Sequence, residues 1–289
     1  LPEIVNVAAQ PRQTEPINTA SERVVPGEDI NQTPVTRPGE VLESATPGLI
    51  VTQHSGEGKA NQYFLRGFNL DHGTDLSTTV AGMPVNMRTH AHGQGYTDLN
   101  FVIPELLNGI AYRKGPYFAE EGDFSAAGSV RMDYIDRFPD GQHGIAQAEI
   151  GEHGYKRGLL AGSTELPTGS LLYGVEWLTE NGPWTVPEGV HKLNGVLRYT
   201  VPLGGGERLR ITGMAYKNAW QSTDQVPQRA IESGAIDRYG FIDPDLGGET
   251  TRIGLLAQQF VLAYQLRARI VREGHHGSGR GLRPGRRLG

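Results

Sequence analysis

The chain has 289 residues with a net charge of −5, 40 glycines, no cysteine and a hydrophobic share of only 37%. Lack of cysteine excludes a disulfide frame and a thiolate metal site, and no apolar run reaches the roughly eighteen residues a transmembrane helix needs. The charge is uneven, with six Arg against one Glu from Ala268 onward, so the body is more acidic than the whole and lacks the basic face of a nucleic-acid binder.

Residues 1–35 are rich in Pro, Thr, Glu and Gln without periodicity and read as a flexible leader. The chain opens on Leu1 with no signal peptide in view, so a mature or truncated form is expected. One β-prone island stands out, Glu3-Ile4-Val5-Asn6-Val7. An extended segment of this kind can pair with a partner as an added strand, because main-chain bonds supply the affinity. An ordinary disordered tail is the alternative.

Residues 36–138 mix short elements. Glu40 to Ala45 predicts a short helix, closed by the Pro47-Gly48 turn. Leu49 to Thr52, Tyr63 to Arg66, Thr78 to Val80 and Ile110 to Arg113 predict strands, and Leu99 to Asn108 carries a helical apolar pattern broken at Pro104. Such short pieces separated by glycine turns make a compact α+β domain.

After Phe138 the texture changes to period-two alternation. Leu171, Tyr173, Val175 and Trp177 alternate with Leu172, Gly174, Glu176 and Leu178, and similar runs cover 192–202 and 207–217. Six strands are expected, near 144–151, 158–166, 170–180, 192–202, 207–217 and 251–264. Their connections alternate between tight (Pro167-Thr168-Gly169, Gly204-Gly205-Gly206) and long (Asn181 to Gly189, Asn218 to Glu249), as in outer-membrane barrels. A soluble β-sandwich is the competitor. The strongly polar faces, with Glu176, Arg198, Arg208 and Arg210, and the Tyr and Trp near strand ends suit a wet lumen and an aromatic girdle better. Residues 268–289 drop the alternation and form a Gly/Arg-rich, atypical tail.

Three ordered blocks carry a resemblance: Phe64-Leu65-Arg66-Gly67-Phe68, Gly82-Met83-Pro84-Val85, and Ile103 to Pro116 ending Arg113-Lys114-Gly115-Pro116. With Thr46-Pro47-Gly48-Leu49 ahead and Ala126-Ala127-Gly128-Ser129-Val130 behind, the chain resembles the TonB-dependent outer-membrane receptors. Ala81 stands where that family usually has Asp, and Ser129 replaces the second Gly of a pair. Gly67, Gly115 and Gly128 are expected to supply positive φ or close backbone approach.

The resemblance implies an α+β plug domain (36–138) followed by antiparallel β-hairpins (139–267) of an incomplete transmembrane β-barrel, which has 22 strands in the full family fold. Six strands cannot close around a domain of that size, and an open edge in lipid leaves backbone groups unpaired, so the chain is expected to be a fragment. It implies residence in the outer membrane of a Gram-negative bacterium and coupling to TonB through Glu3, Ile4, Val5, Asn6 and Val7. Arg66, Gly67, Gly82, Pro84, Lys114, Gly115, Pro116 and Gly128 take structural roles in the plug, Arg66 by locking its strands. Partners would be TonB, outer-membrane lipid and a small-molecule or metal-chelate ligand, with no nucleic acid and no required cofactor.

In the family, cargo is held by outward plug loops that follow the Arg-Gly-Phe and Gly-x-Pro blocks. Here those loops contain Asp71, His72 and Asp75, then Arg88, His90, His92 and Tyr96. His90 and His92, two apart, project to one face if the backbone is extended. With Asp71, His72 or Asp75 they could bind zinc, copper or a metal chelate, or they could hydrogen-bond within the plug or hold an organic ligand. Arg88 or Arg66 could pair with an anionic chelate. No catalytic motif competes: Gly56-Glu57-Gly58-Lys59 lacks Walker spacing, and His-Glu-x-x-His is absent. The leading expectation is a receptor importing a chelated metal or small nutrient and not an enzyme. A soluble periplasmic metal-binding module using the His90/His92 loop is the alternative, and a metallohydrolase ranks last.

Overall fold

The computed structural model describes residues 22–240, apart from 55, 206, 222, 224 and 225, together with the backbone of 263–265. The island at Glu3–Val7 and the tail from 268 lie outside the described residues.

The first strand, β1 (Glu22–Pro26), runs into a single helical turn, α1 (Gly27–Ile30). Both belong to the plug and not to a flexible leader. β1 pairs antiparallel with β7 (Leu107–Lys114), from Glu22 opposite Arg113 to Pro26 opposite Gly109, and Ile30 is buried in the core. The polar composition of 22–35 concealed this, because an edge strand needs only one buried face.

Arg37 and Glu40 cap a 3-10 turn at Pro38–Glu40, which leads into α2 (Val41–Ala45), with Val41 and Leu42 fully buried. β2 (Leu49–Thr52), β3 (Gln62–Leu65) and β4 (Phe68–Asn69) then form a small antiparallel sheet. β5 (Leu76–Val80) and β6 (Met83–Pro84) form a hairpin, and β8 (Gly128–Tyr134) lies parallel to β5. The main plug sheet thus runs β1-β7-β8-β5-β6. The expected helix over Leu99 to Asn108 shrinks to a 3-10 turn at Pro104–Leu106. Pro104 removes an internal donor, and the ladder between β1 and β8 takes the chain from Leu107 onward as strand.

Five long antiparallel strands follow: β9 (Gly144–Ile150), β10 (Lys156–Leu166), β11 (Gly169–Glu180), β12 (Val190–Gly204) and β13 (Glu207–Ala219). A short helix, α3 (Gln228–Glu232), lies in the following connection, and β14 (Ala263–Gln265) pairs with β13. The order β14-β13-β12-β11-β10-β9 is open among the described residues. Turns of two residues join β10 to β11 and β12 to β13 at one end, where Leu166 opposes Gly169 and Gly204 opposes Glu207. The longer 181–189 connection lies at the other end.

This sheet is apolar outside and charged inside. Tyr173, Val175, Trp177, Leu193 and Leu197 are exposed, Trp177 at 46%, whereas Glu176 and Arg198 between them are 1% exposed. A sandwich would show the reverse. The inner face meets the plug: Arg198 donates to the Tyr134 carbonyl at 2.6 Å and to Asp133 at 2.5 Å, and Arg210 grips Asp136 with bonds of 2.7 and 2.9 Å. Arg157 bridges plug Glu105 and strand Glu176 at 2.7 and 2.6 Å. The polar faces expected to line a wet lumen therefore dock the plug. Its apolar core continues through Leu159, Leu172, Val196 and Met214 into the strands.

Candidate functional site

Plug loops at the end of the sheet opposite the two-residue turns gather four of the nine histidines. The loop after β4 carries Asp71 and His72, the loop after β6 carries His90 and His92, and His54 follows β2.

Asn86 holds these loops together. Its amide nitrogen donates to the carbonyls of Gly73, Leu76 and Gly95 at 2.9, 2.9 and 3.2 Å, and its oxygen accepts from the Thr78 amide at 2.7 Å. Main-chain bonds close the 87–96 loop, from Met87 N to the Tyr96 carbonyl and from Gly95 N to the Met87 carbonyl. The Thr97 amide then reaches the His72 carbonyl at 2.8 Å. Tyr96 is buried, and its hydroxyl accepts from the Ala60 amide at 3.0 Å, which ties in the segment after His54.

His72 is the buried member. Its Nδ1 lies 2.9 Å from the Asn61 carbonyl, which fixes that nitrogen as the proton-bearing one, and its Nε2 is buried without a hydrogen-bond partner. Burial pushes the imidazole down to about 4, outweighing the pull of the Asn61 carbonyl and Asp71. The ring is therefore neutral near pH 7, with Nε2 carrying its lone pair. Asp71 Oδ1 stands 3.8 Å from that nitrogen and 3.5 Å from His92 Nε2. One ligand atom each from Asp71, His72 and His92 falls within 4.8 Å of the others. His54 stacks on His72 at 5.1 Å, and burial lowers its imidazole below the usual range.

The His90/His92 pair expected on one face is separated. The backbone bends between them, and the His92 amide donates to His90 Nδ1 at 3.1 Å. His90 stacks on Tyr96 with ring centroids 3.9 Å apart, while His92 meets His72 edge-on at 4.5 Å. The extended-strand premise fails because the loop is a tight excursion pinned at both ends by the Met87–Tyr96 bridge. Asp75 stands outside the group, and its carbonyl accepts from Ala127 in the plug frame. Arg88 is exposed and sits 3.9 Å from Asp123. His54 escaped sequence reasoning, although four histidines between 54 and 92 were a usable signal.

The other named plug residues lie in turns and at strand ends. Arg66 and Gly67 form the β3–β4 turn with φ of 53° and 84°, so Arg66 joins the strands through its backbone, its amide bonding the Gly48 carbonyl at 2.9 Å. Gly82 lies in the β5–β6 turn and Pro84 ends β6. Lys114 ends β7 buried, donating to the Pro47 carbonyl, and Gly115 and Pro116 lead away from it. Gly128 opens β8.

A globular domain covered by outward-apolar hairpins, its loop cluster at the end of the longer connections, is the arrangement of a plug against part of a barrel wall. Residues 17–129 match the family model of the TonB-dependent receptor plug domain. Over those residues the chain resembles the plug of the TonB-dependent receptors, and the antiparallel strands that follow share the fold of the solved structures below.

Solved structures share the fold. The copper transporter OprC is 18% identical with a TM-score of 0.54, over 72% of this chain and 31% of that one. The siderophore receptor PirA from Acinetobacter baumannii is 21% identical at 0.51, over 68% and 32%. The ferric yersiniabactin uptake receptor FyuA from Yersinia pestis is 17% identical at 0.54, over 71% and 32%. This chain spans about a third of the length of these structures.

Proposed function

We propose that the receptor containing this chain imports a chelated metal or another small nutrient across the outer membrane, with energy delivered by TonB through Glu3–Val7. The observation that carries the reading is the loop cluster of Asp71, His72, His92 and Tyr96, presented by the plug at the long-connection end of the sheet. A ligand held there touches the body whose movement would open the path. The match of residues 17–129 to the plug-domain model supports a receptor and not an enzyme, in keeping with the expectation from the motifs. The outward row of Tyr173, Val175, Trp177, Leu193 and Leu197 counts against a water-soluble module, because so wide an apolar face calls for hydrocarbon.

The test is uptake by whole cells offered radiolabelled zinc, copper or ferric siderophores. Val5→Pro, which removes a main-chain donor and bends the island, is expected to leave surface binding intact and to abolish accumulation. Accumulation that proceeds equally in cells lacking TonB would overturn the reading.

A further inference from the structure

We infer that the plug loops hold a bare divalent transition-metal ion directly, through Nε2 of His72, Nε2 of His92 and a carboxylate oxygen of Asp71. The inference rests on the reading that this loop face is where cargo is held, and it names the cargo's chemical class: an unchelated, imidazole-preferring ion such as Zn(II), Cu(II), Ni(II) or Co(II).

Three observations carry it. First, His72 is 1% exposed, yet its Nε2 has no hydrogen-bond partner. A buried polar atom left unmade is costly, and a metal is the partner that an imidazole nitrogen fits when the other ring nitrogen donates to a carbonyl. Secondly, the opposite nitrogen of the same ring faces the Asn61 carbonyl at 2.9 Å. That is the outer-shell contact that orients a metal-ligating histidine and fixes its tautomer. Thirdly, the spacing suits coordination. Ligand atoms on a tetrahedral ion with bonds of about 2.1 Å lie about 3.4 Å apart, and Asp71 Oδ1 stands 3.5 and 3.8 Å from the two imidazole nitrogens. Small rotations of two partly exposed side chains close the set.

The donor set also fits cargo better than a structural ion. Structural zinc sites are closed by four protein ligands, whereas three ligands leave a position open. Here the open side is the solvent side, since the Asp71 and His92 side chains are 45% and 33% exposed. An ion can enter and leave there without unfolding the plug. Imidazole with carboxylate selects first-row divalent ions over magnesium or calcium, which take all-oxygen sites.

The test uses the intact receptor extracted from outer membranes into detergent, titrated with zinc chloride by calorimetry and with cobalt chloride by visible absorption. One equivalent is expected to bind, with the intense cobalt band of four-coordinate geometry. His92→Ala, on an exposed loop that tolerates truncation, and His72→Ala are each expected to weaken binding by about 100-fold or more, exceeding the loss an outer-shell partner brings. His90→Ala is expected to stay within about threefold, because His90 lies on Tyr96 and outside the set. The inference is overturned if the wild type shows no saturable binding, if His92→Ala binds as well as wild type, or if His90→Ala is as damaging as His92→Ala. A receptor that binds no free ion but still imports a ferric chelate in a TonB-dependent manner would refute the direct site and leave the transport reading standing.

Discussion

Gly67 and Gly128 show what single residues decide here. Both were legible in sequence as glycines the backbone requires, but for different reasons that only the structure separates. Gly67 needs its φ of 84° in a two-residue turn, and a Cβ there would meet nothing within 4 Å. Gly128 opens β8 where a Cβ would run into the Arg113 carbonyl and come within 3.1 Å of Lys114 Cα. Gly67→Ala should therefore cost about 1 kcal/mol, the ordinary left-handed penalty. Gly128→Ala should cost more, roughly 3 kcal/mol, because β7 must also shift. Urea midpoints of the two variants check the ranking, and equal losses would contradict it. The histidines carry the opposite lesson. Their types and their crowding between 54 and 92 were visible in sequence. Their grouping was not, because a bend of a few residues decides which ring meets which.

At the scale of elements, strand periodicity was the dependable signal. β10 to β13 lie within a few residues of expectation because one face of each must be apolar throughout. The failures came where a tertiary ladder overrides local pattern: β1, hidden in polar sequence, and Leu107–Lys114, whose start mimicked a helix. Connections contribute chemistry of their own. In the 181–189 connection Glu188 is buried against the plug. Its Oε2 accepts from the Glu57 amide at 3.3 Å and its Oε1 from the Thr223 hydroxyl at 3.2 Å, while its own carbonyl accepts from Gln221.

Burial, with the nearby Glu57 carboxylate adding to it, pushes Glu188 up to about 7. A folded-state value above the unfolded one means the closed contact binds the extra proton. The stabilisation is then full below about pH 4.5 and is lost as pH rises through about 7. Amide exchange in 53–60, corrected for its intrinsic rate, should accelerate across that window. Glu188→Gln should flatten the profile, and an unchanged profile would remove Glu188 from the contact.

On the scale of the molecule, the inverted polarity of the hairpin sheet was legible as alternation, and its outward face was assigned correctly. The inner face was expected to line a wet lumen, and that expectation failed because Arg198 and Glu176 are as much at home against a polar protein surface as against water. The structure gives them the plug. Arg198 is the clearest case, completely enclosed with bonds to the Tyr134 carbonyl, Asp133 and Thr212. Replacing it by Met leaves the buried Tyr134 carbonyl without this donor, while Asp133 keeps the Tyr134 amide at 3.0 Å and Arg210 at 3.7 Å. A buried acceptor left without its hydrogen bond costs about 1–3 kcal/mol, so Arg198→Met should loosen the plug within intact strands. Protease nicking confined to residues below 139, at a denaturant concentration that spares wild type, would report it. Equal nicking of both would show the charge to be dispensable.

β1 has a mechanical corollary. It is five residues long, sits at the margin of the plug sheet with β7 on one side only, and is the described element nearest the chain's beginning. A tug applied upstream reaches this ribbon before any other described element. Its rungs can part in succession from Arg113 towards Gly109 while β7 keeps its ladder to β8. The stopper would come undone like a zipper from that end, while the histidine loops, tied together by Asn86, lie outside the rungs that part first.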